Sequence, residues 1–468
     1  MQYSPRVTIS ALPDDALLEI FKFHVDQIYS ADGWHTLVHV CRKWRYVVFA
    51  SPRWLRLELL CTNRNPVKRM LDIWPALPIV IEAHIDNSRR SGVTNIIAAL
   101  KRHDLVCRID IWGVPNSLLK SAAIKKRFPQ LIDLALWSNE ENAPAITDSF
   151  LGGSAPRLRS LEFRGIPLPF PALGKLLLST TDLVSLCLED IPISGISSPQ
   201  PIVTNLSALT KLHDLWIYFR SPRSRADRER RHSTLLKRLV LPSLAEFYFK
   251  GDSEYLEDIV GRMDTPALGK VTITFFNQLV FGTPLLRDFF SRMVVLQEPH
   301  RAEVCFTPSS VNFMLFQRNG MGGHHILEVG ISCFVSEWQL SSLAQFCGTS
   351  LPPLPTLERL SIRENVAGLW KDDMESSQWL ELLRPFVTVR QLVVSQLFAS
   401  RVAPALRELT GHTVTEVLPA LRQIFSEDDF LSDPIREAFA QFITARQLSG
   451  NSVAVHPMAA LDCEPFPV

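Results

Sequence analysis

The chain has 468 residues, with 49 Lys and Arg against 48 Asp and Glu, so its net charge is +1. This balance argues against a protein that bulk charge holds on nucleic acid. A hydrophobic fraction of 46%, a mean hydropathy of +0.09, 10 Trp and 27 Phe exclude a chain that is disordered throughout. The length favours roughly three domains, unless an internal repeat replaces them with a stack.

Signals for targeting and for redox chemistry are sparse. Pro5, Pro13, Asp14 and Asp15 interrupt the apolar core that a signal peptide needs, and no apolar run is long enough to predict a membrane span. The eight cysteines are scattered, and no pair is spaced C-x-x-C. We therefore expect an intracellular protein of the cytoplasm or nucleus that is not secreted, with no cofactor, no metal, and no membrane or nucleic-acid partner.

Residues 8–58 form the first predicted module, which is helical. Leu12-Pro13 opens a helix, with Asp14 and Asp15 at its positive end. Two amphipathic runs follow, before and after Gly33. Their apolar residues are Leu17, Ile20, Phe21, Val25 and Ile28 in the first run, and Trp34, Leu37, Val40, Cys41, Trp44 and Val48 in the second. So small a module cannot cover all these side chains, which leaves a surface suited to a partner.

This module resembles an F-box. The residues that match in order are Leu12-Pro13, Ile20-Phe21, Leu37, Val40-Cys41-Arg42, Trp44-Arg45, Ser51-Pro52 and Trp54. The resemblance implies docking on the Skp-type adaptor of an SCF ubiquitin ligase, which also contains a cullin. The side chains expected on the adaptor side are Leu12, Pro13, Ile20, Phe21, Leu37 and Val40. Trp44 and Trp54 are expected to pack inside the module.

One feature of the module keeps a second interpretation open. The connection at 26–33 departs from the short connection that is common in the F-box family. A generic helical cap, which lies on the rest of the chain and does not bind the adaptor, therefore remains an alternative.

A connector at 59–75 leads to a predicted solenoid at 76–448, followed by a tail at 449–468. A strand at 78–85 caps the stack. From about residue 104, the pattern apolar-x-x-apolar-x-apolar returns about every 29 residues, near the upper end of the leucine-rich-repeat period. The twelve middle positions are 109, 134, 161, 186, 215, 247, 271, 304, 329, 360, 392 and 424. One such unit cannot bury its apolar face alone, so the pattern predicts an α/β stack of parallel strands with helices between them.

The repeat region also resembles a family, the F-box proteins with degenerate leucine-rich repeats that abound in mushroom-forming fungi. The stretches that carry this resemblance are SPRSR at 221–225, SEYLED at 253–258, FFNQLVF at 275–281, WQLSSL at 338–343 and QWLELLRPF at 378–386. The resemblance implies an N-terminal F-box followed by a horseshoe whose strands line the concave side. It does not assign a ligand.

The residues between the inward apolar positions are expected to face out from the strands. Large aromatic and basic side chains cluster there in the first half of the stack: Trp112, Trp137, Arg164, Trp216, Tyr218, Tyr248 and Lys250. Such residues dominate protein interfaces, so they are the candidate substrate-binding set. The alternatives are that other segments cover these rings, or that a register slip of one residue turns them inward.

The Arg-rich run at 220–231 is either a solvated loop or a site for an acidic or phosphorylated ligand. No phosphate-loop, zinc-protease or serine-hydrolase motif occurs, and the adjacent His324 and His325 are poorly spaced for a metal. We therefore expect a substrate receptor of an SCF-type ligase that binds an unknown protein substrate and is not itself an enzyme. The alternative is a non-catalytic repeat scaffold whose F-box-like cap does not engage the adaptor.

Overall fold

The structure, a computed structural model, describes residues 9, 12–27, 33–65, 67–85, 91–139, 143–191, 200–220, 238–276, 278, 280–318, 325–333, 335–365, 375–426 and 433–457. The chain divides into two compact units, residues 1–196 and 197–468. The helical module lies in the first of these units, together with the first strands.

The helical module contains α1 (Asp14–Gln27), α2 (His35–Val38) and α3 (Arg42–Ala50). The second amphipathic run is thus two helices, because Cys41 is extended and its Sγ accepts the Trp44 amide 3.5 Å away, which starts α3. α1 packs on α3 through Phe21 and Trp44, whose ring centroids are 4.7 Å apart. The indole of Trp34 donates to the Glu58 carbonyl over 3.0 Å, which joins the module to the strand that follows.

In the described part of the first unit, the sheet has six parallel strands in chain order. They are β1 (Leu59–Cys61), β2 (Ile79–His84), β3 (Val106–Trp112), β4 (Asp133–Trp137), β5 (Ser160–Arg164) and β6 (Ser185–Ile191). The connecting helices are α4 (Val67–Ile73), α5 (Ser91–Leu100), α6 (Asn116–Leu119) and α7 (Phe170–Leu178), with single 3-10 turns at Ala122–Lys125 and Phe150–Gly153. β1 lies in the stretch that was expected to be a connector.

The second unit contains the remaining strands and helices. Its strands are β7 (Asp214–Phe219), β8 (Leu239–Val240), β9 (Glu246–Gly251), β10 (Met263–Asp264), β11 (Lys270–Phe276), β12 (Pro299–Thr307), β13 (Ser310–Gln317), β14 (His325–Ser332), β15 (Arg359–Glu364), β16 (Gln391–Val394), β17 (Gln423–Ser426) and β18 (Ala454–Pro457). Its helices are α8 (Gln200–Leu206), α9 (Ser253–Val260), α10 (Pro284–Arg292), α11 (Ser336–Thr349), α12 (Ser376–Leu383), α13 (Gln396–Arg407) and α14 (Asp433–Leu448), with 3-10 turns at Val294–Leu296 and Gly411–Thr415. β18 lies in the expected tail and pairs with β17.

The order of strands in the second unit departs from the expected stack. The main sheet runs β7, β9, β11, β14, β13, β12, β15, β16, β17, β18, and the short strands β8 and β10 form a separate parallel pair. β13 was not predicted, and it runs antiparallel to both β12 and β14. A tight turn sets up this reversal, because Thr307 Oγ1 accepts the Ser309 and Ser310 amides at 3.3 and 3.0 Å. The expectation of parallel strands in chain order is therefore corrected between β11 and β15.

The apolar pattern places the core. All twelve middle positions of the repeat lie on strands, which confirms the α/β class and the mainly parallel sheet, as in a leucine-rich-repeat-like fold. Leu134 and Leu136 illustrate the pattern, since both are 1% exposed while the residues between and beside them are half-buried. Burying one such leucine contributes roughly 1.5–3 kcal/mol, so each repeated strand contributes substantially to stability. No helix in the described parts of the chain is long and apolar enough to cross a membrane.

Candidate binding faces

The helical module presents several uncovered apolar side chains. Of the residues expected on the adaptor side, Ile20 and Val40 are 45% and 56% exposed, Pro13 is exposed and Leu12 is half-buried. Ile20 lies on α1, and Val40 follows α2. Large aliphatic side chains left open on so small a module are typical of a surface that a partner covers.

Phe21 and Leu37 differ from the expectation, because both are buried. Phe21 and Leu17 lie four residues apart on α1, so they share the face that packs on α3. Leu37 lies in the short helix α2, beside the buried Val38. Both residues therefore belong to the core of the module rather than to its outer surface.

Three exposed aromatic residues of the module were missed or misplaced by the sequence reasoning. Phe23 and Tyr46 are 69% and 70% exposed, and Trp54, expected inside, is 50% exposed. Lys22 Nζ lies 4.2 Å from the centre of the Trp54 ring, a cation–π contact that holds this ring on the surface. The exposure of Phe23 could have been predicted from its position on α1. It lies two residues after the inward-facing Phe21, and residues two apart on a helix lie on different faces.

Two basic residues of the helical module, Lys43 and Arg45, have a structural role. Lys43 Nζ donates to the Leu12 carbonyl over 2.7 Å and lies 3.6 Å from an Asp14 carboxylate oxygen. Arg45 Nε donates to the Val38 carbonyl over 3.0 Å. These bonds fix the start of α1 and the end of α2 against α3, so Pro13 and Val40 are held on a rigid base.

On the first unit's sheet, register alignment brings three of the predicted binding residues into one row. Trp112, Trp137 and Arg164 are consecutive partners on β3, β4 and β5. The two indole rings are in contact, and the Arg164 guanidinium lies 5.4 Å from the Trp137 ring. Arg164 also lies 3.4 Å from a carboxylate oxygen of Glu189, the next residue in the row. We call Trp112, Trp137 and Arg164 the aromatic row. Trp112 is 41% exposed, so this row is open to a ligand.

Carboxylates accompany this aromatic row. Burial, together with the nearby Glu189 and Asp110 carboxylates, raises the pKa of Glu162, although the Trp137 indole and Arg164 act in the opposite direction. Burial also raises the pKa of Asp110. The face around the two tryptophans therefore has an acidic character that the aromatic residues alone did not predict.

On the second unit's sheet, Trp216 and Tyr248 form a second aromatic pair. They are register partners on β7 and β9, and their rings stack with centroids 4.9 Å apart and planes 12° apart. Lys270 Nζ lies 5.3 Å from the centre of the Tyr248 ring. The Tyr248 hydroxyl donates to Glu246 over 2.5 Å, and burial together with this bond raises the pKa of Tyr248. Tyr218 and Lys250 are the next register pair along the same two strands.

The seven predicted binding residues thus form two groups. Trp112, Trp137 and Arg164 belong to the first unit, and the second group belongs to the other unit: Trp216, Tyr218, Tyr248 and Lys250. Within each group the register matches the prediction, because these side chains occupy the half-buried or exposed positions between buried ones.

Other sequence candidates add little to these faces. Arg220 is half-buried, and the rest of the Arg-rich run at 221–231 lies outside the described residues, as does His324. His325 Nε2 lies 3.1 Å from a Glu328 oxygen, an arrangement that lowers the pKa of Glu328. Among the described residues, no group of three or more His, Cys, Asp or Glu side chains is placed to hold a metal ion.

No family model matches the chain, and no curated protein matches it. Among solved structures, the chain is similar to the leucine-rich repeat-containing protein LegL7 from Legionella pneumophila. The identity is 10% and the TM-score is 0.29, over 82% of this chain and 97% of that chain.

Proposed function

We propose that the chain is the substrate receptor of an SCF-type ubiquitin ligase, with the helical module docked on the Skp-type adaptor and the strand faces holding a protein substrate. The observation that carries the proposal is the uncovered apolar surface of Ile20 and Val40 within a string of residues that resembles an F-box. Ubiquitin transfer belongs to other subunits. The chain contributes position, because it raises the local concentration of substrate near the ubiquitin carrier.

Adaptor docking can be tested by placing charge on the module surface. We expect Ile20→Asp combined with Val40→Asp to reduce co-purification of the Skp-type adaptor and cullin more than tenfold, because a carboxylate buried in an apolar interface lacks a partner. The measurement is quantitative pull-down from cells that express both proteins. Val240→Asp is the matched control. Val240 on β8 lies outside the module, and its exposed fraction of 46% is nearly equal to the 45% of Ile20. Equal recovery with the double variant would remove the basis for docking.

Substrate capture is tested separately on the strand faces. We expect Trp112→Ala and Trp216→Ala each to deplete captured proteins at least fivefold while the adaptor is retained, since a tryptophan at the centre of an interface contributes about 2 kcal/mol. Captured proteins would be quantified by mass spectrometry with the proteasome inhibited. Trp338→Ala is the control, because Trp338 on α11 is 40% exposed and does not lie on a strand. A set of captured proteins that neither strand variant changes would contradict the proposal for these faces.

A repeat scaffold without adaptor binding is the second candidate. The burial of Phe21 and Leu37 favours it, because a third of the six side chains expected on the adaptor side is unavailable to a partner. A purified chain that keeps its Trp112-dependent partners but recovers no adaptor would select this function.

A further inference from the structure

A row of acidic residues crosses the first unit's sheet directly beside the aromatic row. Strand register aligns five side chains on neighbouring strands in this row, which we call the acidic row: Glu82, Asp110, Ala135, Glu162 and Cys187. Three of the five are carboxylates and none is basic. Neighbouring strands lie about 4.8 Å apart, so Asp110 and Glu162 are separated by roughly 10 Å across the small side chain of Ala135.

The carboxylates of the acidic row have cations only at longer range within the described residues, where the charges of Arg108 and Arg164 partly oppose the rise in the pKa of Asp110 and Glu162, respectively. The adjoining acids are neutralised, since Asp133 pairs with Arg108 at 3.2 Å and Glu189 pairs with Arg164 at 3.4 Å. No described cation forms an ion pair with Glu82, Asp110 or Glu162. In addition, Asp110 Oδ1 is buried without a hydrogen-bond partner, although the Trp112 indole acts on the same carboxyl group. An acceptor in this state costs free energy that an incoming donor would recover.

The two tryptophans of the aromatic row complete a site for a cation, because they lie beside the carboxylates of the acidic row. Trp112 follows Asp110 by two residues on β3, and Trp137 follows Ala135 by two residues on β4, so both rings lie on the same side of the sheet as the acidic row. An indole face attracts a cation, and its large apolar area packs on the methylene groups of a long side chain. Carboxylates beside indole rings therefore match both parts of a lysine or arginine.

We propose that the acidic row, together with Trp112 and Trp137, binds a lysine or arginine side chain from an extended basic segment of a protein partner. The inference rests on the proposed function, because it names the ligand class of the same strand face. The cation lies above Ala135, between the Asp110 and Glu162 carboxylates, and its aliphatic part packs on the indole rings. An arginine can donate to both carboxylates at once, because its guanidinium carries five N–H donors in a planar fork.

The face of the second unit has a different balance of charge. Asp214 and Glu246 lie near His213 and Lys270 there, and Lys250 adds a further cation. A basic segment would meet repulsion as well as attraction at that face. The acidic row is therefore the place where charge complementarity selects a cationic partner.

The test uses the full chain and two labelled probe peptides, acetyl-Gly-Arg-Gly-Arg-Gly-amide and its Glu counterpart, in fluorescence anisotropy at low salt. We expect the wild-type chain to bind the Arg peptide at least tenfold more tightly than the Glu peptide. The variant Asp110→Asn with Glu162→Gln keeps the side-chain shapes and removes two charges, so it should weaken the Arg peptide at least tenfold. Glu381→Gln is the control, because Glu381 is exposed on α12, and it should leave the affinity within twofold.

Two results would overturn the inference: equal affinity for the two peptides, or unchanged Arg-peptide affinity in a folded double variant with a wild-type circular dichroism spectrum. The outcomes also separate this inference from the proposed function. Loss of captured proteins in Trp112→Ala but not in the double variant would refute the basic ligand class and leave the face intact. Carboxylate-dependent peptide binding without adaptor recovery would support the acidic row and contradict the role in the ligase.

Discussion

Replacing Gly165 with alanine should lower the free energy of unfolding by about 3 kcal/mol or more. Gly165 follows β5 with φ at +66°, and an added Cβ would lie 2.3 Å from the Ser138 carbonyl oxygen. Both the left-handed backbone and this clash oppose a side chain. The clash cannot relax by a rotamer change, because the atom it meets is backbone. The same backbone is held by the Ser138 amide, which donates to the Arg164 carbonyl over 2.9 Å.

Gly411→Ala is the matched control for this prediction. Gly411 has φ at +56°, but an added Cβ would meet no atom within 4 Å. Gly411→Ala should therefore lower the free energy of unfolding by only about 1 kcal/mol, which is the cost of placing alanine in the left-handed backbone conformation. Urea unfolding followed by circular dichroism compares the two variants. Equal destabilisation would show that the close approach beside Gly165 is unimportant. Because Arg164 precedes Gly165, the alanine should also weaken the contact between Arg164 and Trp137.

Arg446→Met should destabilise the second unit by about 3 kcal/mol, because three carbonyl groups lose their donor. Arg446 lies on α14 and is fully buried. Its guanidinium donates to the carbonyls of Val417, Leu418 and Pro419 at 3.0, 2.5 and 3.4 Å. Burial lowers the pKa of this group, and no described carboxylate forms an ion pair with it. The residue therefore acts as a hydrogen-bond donor to a turn, in which Leu418 has φ at +49°.

The control for Arg446 lies on the same helix. Arg436 is 63% exposed in its side chain and lies 3.8 Å from Asp433, an exposed pair that contributes little. Arg436→Met should change stability by no more than about 0.5 kcal/mol. Arg446→Lys separates charge from geometry, since one ammonium cannot reproduce the fork that serves three carbonyls. A thermal midpoint for Arg446→Met equal to that of Arg436→Met would contradict the assignment.

The sequence predicted the strands well because each needs the same two inward side chains. Leu134 and Leu136, or Leu161 and Phe163, can be found by counting, and counting also places Trp112, Trp137 and Arg164 in one row. β13 was missed although Val311, Phe313 and Leu315 alternate as buried residues, because no leucine three residues earlier marks it as a repeat. Spacing along the chain carries no information on which strand becomes a neighbour. The sequence therefore could not predict that β14, rather than β12, lies next to β11 in the sheet.

The surface of the helical module was harder to predict. An amphipathic pattern identifies the buried face of a helix but not the edge of that face. Ile20 and Phe21 are adjacent in the chain, yet Ile20 is exposed and Phe21 is buried. The decision depends on where the Trp44 ring packs, which is a tertiary contact. The acidic row was also hidden, because Glu82 and Glu162 are 80 residues apart and meet only through strand register.

The β12–β13–β14 meander has a consequence for folding. In a simple repeat array each unit pairs only with its neighbours in the chain, so the array can fray or grow one unit at a time. Here β11 pairs with β14, and β12 pairs with β15, so residues 270–364 are interlaced. Neither β14 nor β12 can detach without exposing the edge of a strand from another part of the chain, β11 or β15 respectively. We therefore expect this segment to form cooperatively and not to tolerate exchange or deletion of one repeat at a time.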